Sequence, residues 1–359
     1  MNLVFDNIVF YLQKSGGGSV YWYELISRAV KDKELNVTFV EPKSQLNNFI
    51  YTKNSFNFVK RVFETLPLRL LSLINISIPL KYRAIVHSSY YRISKSKNAI
   101  NVVTIHDFTP EKYFKGLHKF FQSYRKAIAI KNADAIICIS ENTKIDLLHY
   151  YPKTPVSLIN VIYNGVSDVY QKIDVNLKPN YTQEFPFLKE KYMLFIGHRT
   201  SYKNFDFAVD LVAQCAEYKI VIVGNELSES EMNFLNNRLL DRYIYIKNVS
   251  NSTLNIFYNF AHCLLYPSSY EGFGIPVIEA MKVGCPVIAM KSSSIPEISA
   301  NAALLLDSLS VEKAKLFVAQ LEDSAFRKNI VEKGIENSHR FSWDKCYSEV
   351  KTLYKKLSA

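Results

Sequence analysis

Short runs of aliphatic and β-branched residues alternate along this chain with amphipathic stretches of helical spacing. LVFDNIVFYL (3–12) predicts a first strand, followed by a glycine-rich turn and a helix over about 19–30. VTFV (37–40), AIVH (84–87), NVVTIH (101–106), AIICIS (135–140) and VSLINVIYN (156–164) predict further strands, with helical spacing over 115–132 and 141–150. Near-continuous apolar runs suit strands buried on both faces, and helices between them make a doubly wound parallel sheet. Residues 169–190 break the rhythm with Pro179, Pro186 and many polar side chains, which predicts a linker. A second series follows: YMLFIG (192–197), a helix over about 204–217, KIVIVG (219–224), YIYIKNV (243–249), HCLLYPS (262–268) and PVIAM (286–290). The tail from Phe341 is helical, with Trp343 near its start. The expectation is an α/β protein of two doubly wound domains, 1–168 and 191–340, facing across a ligand cleft.

Composition narrows the class. At 359 residues the chain exceeds one ordinary core. A hydrophobic share of 48% against 21% charged excludes a disordered chain. No run of about 18 uncharged apolar residues is present, which argues against a spanning helix. Asp6 interrupts the first apolar run and no basic stretch precedes it, so a leader is not expected and a cytoplasmic location is. Cys138, Cys215, Cys263, Cys285 and Cys346 are odd in number and far apart, which supports neither a disulfide framework nor a zinc site. Each is expected to pack as a small hydrophobe.

Charge is uneven. Residues 1–165 hold 22 Lys+Arg against 11 Asp+Glu, and the remainder is balanced. The excess concentrates in 50–131, with 15 basic residues against Glu64, Asp107 and Glu111, interleaved with Phe, Tyr and Leu. Such a surface suits an anionic partner such as a membrane face, and LPLRLLSLINISIPL (66–80) adds apolar area beside it. A merely solvated face would read the same way.

Two stretches carry chemistry. In YPSSYEGFGIPVIEAM (266–281) a strand gives way to Glu271-Gly272-Phe273-Gly274, then to a helix opening at Ile275-Pro276. Proline suits a first helical turn, whose free N–H groups and positive end attract a phosphate, and glycine lets it approach. Glu271 on the loop and Glu279 on the helix can border one pocket and accept hydrogen bonds from vicinal hydroxyls. In LFIGHRTSYKNFD (194–206), Arg199 and Lys203 follow a strand end, where a guanidinium fork and an ammonium suit a diphosphate. Three features of the first half are weaker. Gly16-Gly17-Gly18 opens a helix, and His106-Asp107 ends a strand. Ser140 reads as a helix N-cap.

These residues resemble a known family. Gly197…Arg199…Lys203-Asn204, Glu271-Gly272-Phe273-Gly274…Glu279-Ala280, and Gly284-Cys285-Pro286 before Ser294-Ile295-Pro296-Glu297 are similar to the retaining glycosyltransferases of family 4. The resemblance implies the GT-B fold, two Rossmann-like domains with the acceptor on the first, the donor on the second, and helix 341–359 packed back on the first. Arg199 and Lys203 would hold the diphosphate of a nucleotide sugar, Glu279 the ribose, and Glu271 the sugar hydroxyls. Phe273, Gly274 and Ile275 would support sugar and phosphate through their N–H groups. Gly17, Gly18 and Val249 would border the donor, and His106 would contact its sugar. His198 intervenes, so Arg199 stands one position later than in the common motif.

The implied reaction moves a hexose from GDP-mannose or a UDP-hexose, with retention, to a lipid-diphosphate-linked or polysaccharide glycan in bacterial O-antigen or capsule assembly. It needs no metal and no cofactor beyond the sugar nucleotide, since cations do a metal's electrostatic work. The enzyme would work peripherally on the cytoplasmic membrane face through residues 50–131. Two other classes stay open. An NAD(P)-dependent oxidoreductase would need a GxGxxG that the Gly16–Gly18 triplet does not supply. A basic nucleic-acid-binding protein, consistent with pI ≈ 9.2, would leave the cleft residues idle.

Overall fold

A computed structural model describes residues 1–359 apart from Asn47, Lys53, Asn54 and Asn248 and the side chains of His118 and Val175. Lys53, one of the basic residues counted above, therefore lies outside the described residues. The chain divides into two units, Met1–Gly165 with Ser342–Ala359, and Val166–Phe341.

The first unit is built on seven parallel strands: β1 (Asn2–Asp6), β2 (Asn36–Pro42), β3 (Lys60–Glu64), β4 (Ala84–Ser88), β5 (Ala99–Ile105), β6 (Ala135–Cys138) and β7 (Ile159–Val161). Their order is β3-β2-β1-β4-β5-β6-β7, so strand order reverses between β1 and β4. The second unit has six: β8 (Tyr192–Ile196), β9 (Lys219–Val223), β10 (Tyr243–Ile246), β11 (Cys263–Tyr266), β12 (Val287–Met290) and β13 (Leu304–Leu306). Their order is β10-β9-β8-β11-β12-β13, reversing between β8 and β11. The central strands are buried throughout, as the continuous apolar runs require. Cys138, Cys263, Cys285 and Cys346 are buried free thiols, and Cys215 is half-buried.

Several boundaries differ from the sequence expectation. The run 3–12 is not one strand: β1 ends at Asp6 and Val9–Leu12 is helical. Asn7 turns inward, where it donates to Glu41 Oε1 (3.0 Å) and accepts from Trp22 Nε1 (2.8 Å), and this draws the chain out of the sheet. In 156–164, Pro155 starts a 3-10 turn and only Ile159–Val161 pairs. The expected linker carries a helix, Lys178–Glu184, and lies within the second unit. Its chain is tied down by Asn255 and Asn259, whose side chains accept from Gln171 N and Ile173 N. β3 and β13 were not expected. β3 is a charged edge strand, KRVFE, and β13 is three residues long.

Helix Trp343–Ser358 lies in the first unit, against helix Gly17–Ala29 and β4. Cys346, Val350 and Tyr354 are buried there, and Lys351 and Lys355 pair with Glu34. Among the described residues no helix is long and apolar enough to cross a membrane.

Candidate active site

Open parallel sheets bind ligands beyond the carboxyl ends of the strands that flank a reversal of order. In the second unit those strands are β8 and β11, and the loops leaving them carry both stretches singled out above.

The loops are stapled together. Asn204, in the left-handed conformation, donates to Pro267 O (2.6 Å) and Ser269 Oγ (2.7 Å), and Ser269 N donates to Tyr202 O (2.7 Å). Lys203 Nζ is thereby brought onto Glu271 Oε1 as an ion pair, with side chains 14% and 12% exposed. Tyr266 also hydrogen-bonds Glu271. The Glu271–Phe273 backbone is held from the far side: Ser293 Oγ accepts from Glu271 N, and Ser294 Oγ donates to Glu271 O and Phe273 O.

Helix Ile275–Val283 begins where the residues predict, with Gly274 before it at φ 101°. That conformation favours glycine, and an added Cβ would meet Ile295 Cδ1 at 2.7 Å. Pro276 stands in the first turn, and the helix's positive N-terminal end follows directly on the Glu271–Gly274 loop, whose Glu271 pairs with Lys203. Glu279 lies just beyond. Tyr258 Oη donates to its Oε2 (2.8 Å), and Tyr170 hydrogen-bonds the same carboxylate. Burial pushes the Glu279 carboxyl up to about 7, against the opposing pull of both hydroxyls.

Arg199 is largely committed. Its Nε donates to Glu231 Oε1 (2.6 Å) and its Nη2 to the carbonyls of Asn225 (2.8 Å) and Glu226 (2.7 Å). Only Nη1, buried, lacks a partner. His198 Nδ1 meets Asn225 Nδ2, and burial with the nearby Lys203 and Arg199 charges holds the ring below its ordinary value. Val249 is half-buried, just before the helix Asn251–Phe260 that carries Tyr258. Among the described residues no group of three or more His, Cys, Asp or Glu could hold a metal ion.

The remaining predicted residues belong to the first unit. Gly17 and Gly18 open the helix Gly17–Ala29. His106 follows β5 with its ring edge-on to Tyr21 at 5.0 Å, and burial with the nearby Lys126 charge lowers it to about 4. Ser140 caps its helix by accepting from Thr143 N.

The basic window needs correction. Arg92 is 1% exposed and bound to Asp6 and Glu64, and Lys126 is fully buried on Glu111. Arg125 is 6% exposed and donates to the carbonyls of Leu73, Ile74 and Tyr91. These cations are internal ties, not surface charge. Buried charge requires partners, and partners distant in sequence do not show in a local pattern.

Comparison with known proteins decides the family. Residues 178–337 match the model of the glycosyl transferases group 1, and 15–169 match that of glycosyltransferase family 4. The chain is a family 4 glycosyltransferase of the GT-B fold. It is 24% identical over 272 residues to O-antigen chain mannosyltransferase B of Escherichia coli, covering 71% of this chain and 70% of that one. It is 28% identical over 258 residues to O-antigen chain mannosyltransferase RfbU of Salmonella typhimurium, covering 69% and 68%. Among solved structures, Anabaena HepE in complex with UDP and glucose superposes with a TM-score of 0.76 at 16% identity, over 100% of both chains. The oxidoreductase and nucleic-acid-binding readings are set aside.

For this glycosyltransferase the residues missed from sequence are the supports. Tyr170 and Tyr258 set the Glu279 carboxylate, and Glu231 sets Arg199. Only the serine triplet 292–294 left a trace, as the polar run before Pro296. A lone tyrosine among 24 gives no local signal.

Proposed function

We propose that this glycosyltransferase moves a hexose, with retention, from GDP-mannose or a UDP-hexose to a lipid-linked or polysaccharide glycan acceptor in O-antigen or capsule assembly. The observation that carries the reading is the Lys203–Glu271 pair beside the Gly274-headed helix, with the tyrosine-held Glu279 beyond it. The names of the two mannosyltransferase relatives favour mannose, and the UDP and glucose of HepE keep UDP-hexoses in the test.

In the reaction the bond from the anomeric carbon to the diphosphate oxygen loosens, and negative charge grows on the leaving group. Lys203 and the free N–H groups at Gly274 and Ile275 stabilise it as preorganised donors, and the guanidinium of Arg199 adds its positive charge. Glu271, released from Lys203 by the diphosphate, accepts from sugar hydroxyls. Glu279 accepts from the ribose, and Val249 borders the nucleoside. The acceptor oxygen attacks the same face of the sugar, and its proton passes to the departing phosphate oxygen. Gly17, Gly18 and His106 serve the donor from the first unit, His106 as a neutral ring.

The test is nucleotide release from GDP-mannose, UDP-glucose and UDP-N-acetylglucosamine, with thermal shift by GDP and UDP. A ligand at 100-fold its Kd adds roughly 2.7 kcal/mol to the native state. Turnover should persist in EDTA, because the cations supply the electrostatic stabilisation. Loss in EDTA that Mg²⁺ or Mn²⁺ restores would refute the metal-free mechanism.

Donor binding should strengthen as pH rises through 7. Ribose hydroxyls donate to the ionised carboxylate, so binding draws the Glu279 value down from about 7 and releases a proton below it. GDP or UDP should bind up to about tenfold more weakly at pH 6 than at pH 8, the factor that one pK unit carries. Calorimetry at pH 6 in buffers of different ionisation enthalpy reads the proton. Equal release by Glu279→Gln would assign it elsewhere.

Membrane attachment rests on the cations left at the surface. Lys60, Arg69, Lys81, Arg83, Lys95, Lys97 and Lys115 are exposed, as are Phe58, Phe63, Leu66, Leu70 and Tyr82. Each basic residue near an anionic leaflet contributes about 1 kcal/mol. Reversing Lys60, Arg69, Arg83 and Lys115 to Glu should abolish binding to vesicles containing phosphatidylglycerol. Binding that survives the reversal, or ignores salt, would remove the membrane from the proposal.

A further inference from the structure

β11 and β12 are paired neighbours in the second sheet, from Leu264↔Val287 to Tyr266↔Ala289, so the chains leaving their carboxyl ends start side by side. One is the loop that carries Glu271. The other turns at once. Lys291 N donates to Leu306 O (2.8 Å), Ser292 N to Met290 O (2.9 Å) and Ile295 N to Ser292 O (3.1 Å), and the helix Ile295–Ser299 begins behind the turn. Three consecutive serines form it, and each hydroxyl takes a different point of the β11 loop. Ser292 Oγ donates to Ser268 O (2.7 Å). Ser293 Oγ accepts from Glu271 N (2.8 Å), and Ser294 Oγ donates to Glu271 O (3.0 Å) and Phe273 O (2.9 Å).

Ser293 makes its contact from an unfavourable backbone. Its φ is 46°, in the left-handed region, where a Cβ crowds the following carbonyl and glycine is the usual occupant. Among the described residues six non-glycines have positive φ. Two of the six, Asn204 and Ser293, hydrogen-bond the loop after β11, Asn204 at Pro267 and Ser269 and Ser293 at Glu271. Strained backbone persists where surrounding contacts over-determine it, and it gathers at functional sites. Glycine at 293 would relieve the strain and lose the hydroxyl, so the two properties can be separated by substitution.

The Ser293 hydroxyl fixes one end of Glu271 and the Ser294 hydroxyl fixes the other. With the peptides on both sides of its Cα held, the Glu271 side chain is aimed by the main chain as well as by Lys203 and Tyr266. In the proposed reaction the diphosphate draws Lys203 away. The main-chain holds then become the chief constraint on the carboxylate, at the step when it meets the sugar. A site built to accept from one hydroxyl rejects the analogue that lacks it. A carboxylate free to wander holds that hydroxyl less well, and the rejection shrinks.

We infer that Ser293 is a positioning residue for sugar selection: its hydroxyl, presented by a left-handed backbone, aims the Glu271 carboxylate at the donor sugar. This role rests on Glu271 accepting from sugar hydroxyls, as proposed above. Ser293 itself touches neither sugar nor nucleotide.

Ser293→Gly and Ser293→Ala share the missing hydroxyl and differ in strain. Both are compared with the wild-type chain in thermal melting, in binding of GDP and UDP, and in nucleotide release from sugar nucleotides. The donors are GDP-mannose, UDP-glucose and UDP-N-acetylglucosamine, each with its analogues lacking one ring hydroxyl. Ser293→Gly should melt above Ser293→Ala, because only glycine adopts the left-handed backbone without strain. Both variants should nevertheless lose about tenfold in the kcat/KM preference for the full donor over the deoxy analogue that the wild type rejects most, the lower end of what a hydrogen bond to a charged group contributes. Bare GDP and UDP, which carry no sugar, should bind as they do to the wild type. With Glu271→Gln in place, Ser293→Gly should have little further effect on that preference, since a residue that acts through another is not additive with it. A preference that survives in Ser293→Gly, or that falls only as melting falls, would overturn the positioning role. So would a full tenfold loss on top of Glu271→Gln. A wild-type chain that releases nucleotide from none of the donors, or a Glu271→Gln chain with the wild-type preference, would instead overturn the reading of Glu271 on which the role depends.

Discussion

Replacing Lys203 with alanine is expected to lower turnover on the order of 10²-fold, the usual cost of deleting one preorganised donor to a developing anion. The ammonium is positioned by three separate features: the turn Ser201–Lys203, the left-handed Asn204, and the Glu271 carboxylate. Its Nζ also lies 5.4 Å from the Tyr266 ring centroid. Removal leaves Glu271, 12% exposed, without its cation. An uncompensated carboxylate at that depth destabilises the loop, so the kinetic loss has to be separated from a folding loss. Lys203→Ala with Glu271→Gln removes the stranded charge. The single variant should lose turnover in steady-state nucleotide release, and the double variant should recover thermal stability but not rate. Arginine at 203 should rescue poorly, because a planar fork does not reproduce a compact ammonium. Full turnover by a folded Lys203→Ala protein would sink the diphosphate assignment.

The parts of this molecule that were legible in sequence are those with a local signature. The continuous apolar runs marked most strands of both sheets, and the Glu271–Gly274 loop before Pro276 marked the helix that heads the donor site. Apart from the turn that Pro155 starts beside β7, the failures share one cause. Asn7 ends β1 because Glu41 and Trp22 hold its side chain, and both lie far along the chain. Arg92, Arg125 and Lys126 read as surface charge because Asp6, Glu64, Glu111 and the carbonyls that satisfy them are distant in sequence. Tyr170 and Tyr258 reach Glu279 from two separate segments. Residue type and spacing report what a side chain can do, and the fold decides what it meets.

Replacing Gly165 with alanine is expected to have the largest effect on stability. The residue sits where the chain leaves β7, against the start of the helix Trp343–Ser358. A Cβ there would meet Trp343 N at 2.1 Å and the Ser342 carbonyl carbon at 2.4 Å. Both atoms are backbone, so no rotamer relieves the clash and two chain segments have to part. Much is anchored on the segment that moves. Trp343 is 4% exposed and packs on Tyr21, whose ring in turn meets His106. Further along the helix, Tyr354 is buried with its hydroxyl on His87, and Tyr347 donates to Asp32 at 2.7 Å. Overpacking a core costs about 1–3 kcal/mol when side chains can adjust and more when backbone has to. At 2–4 °C per kcal/mol for a unit of this size, a loss of about 3 kcal/mol lowers Tm by roughly 6–12 °C. Limited proteolysis should then cut within 342–359 before any other site, since the tail loses its seat first. A Gly165→Ala protein that melts within about 2 °C of the parent and keeps its tail protected would show that the two segments can separate at little cost.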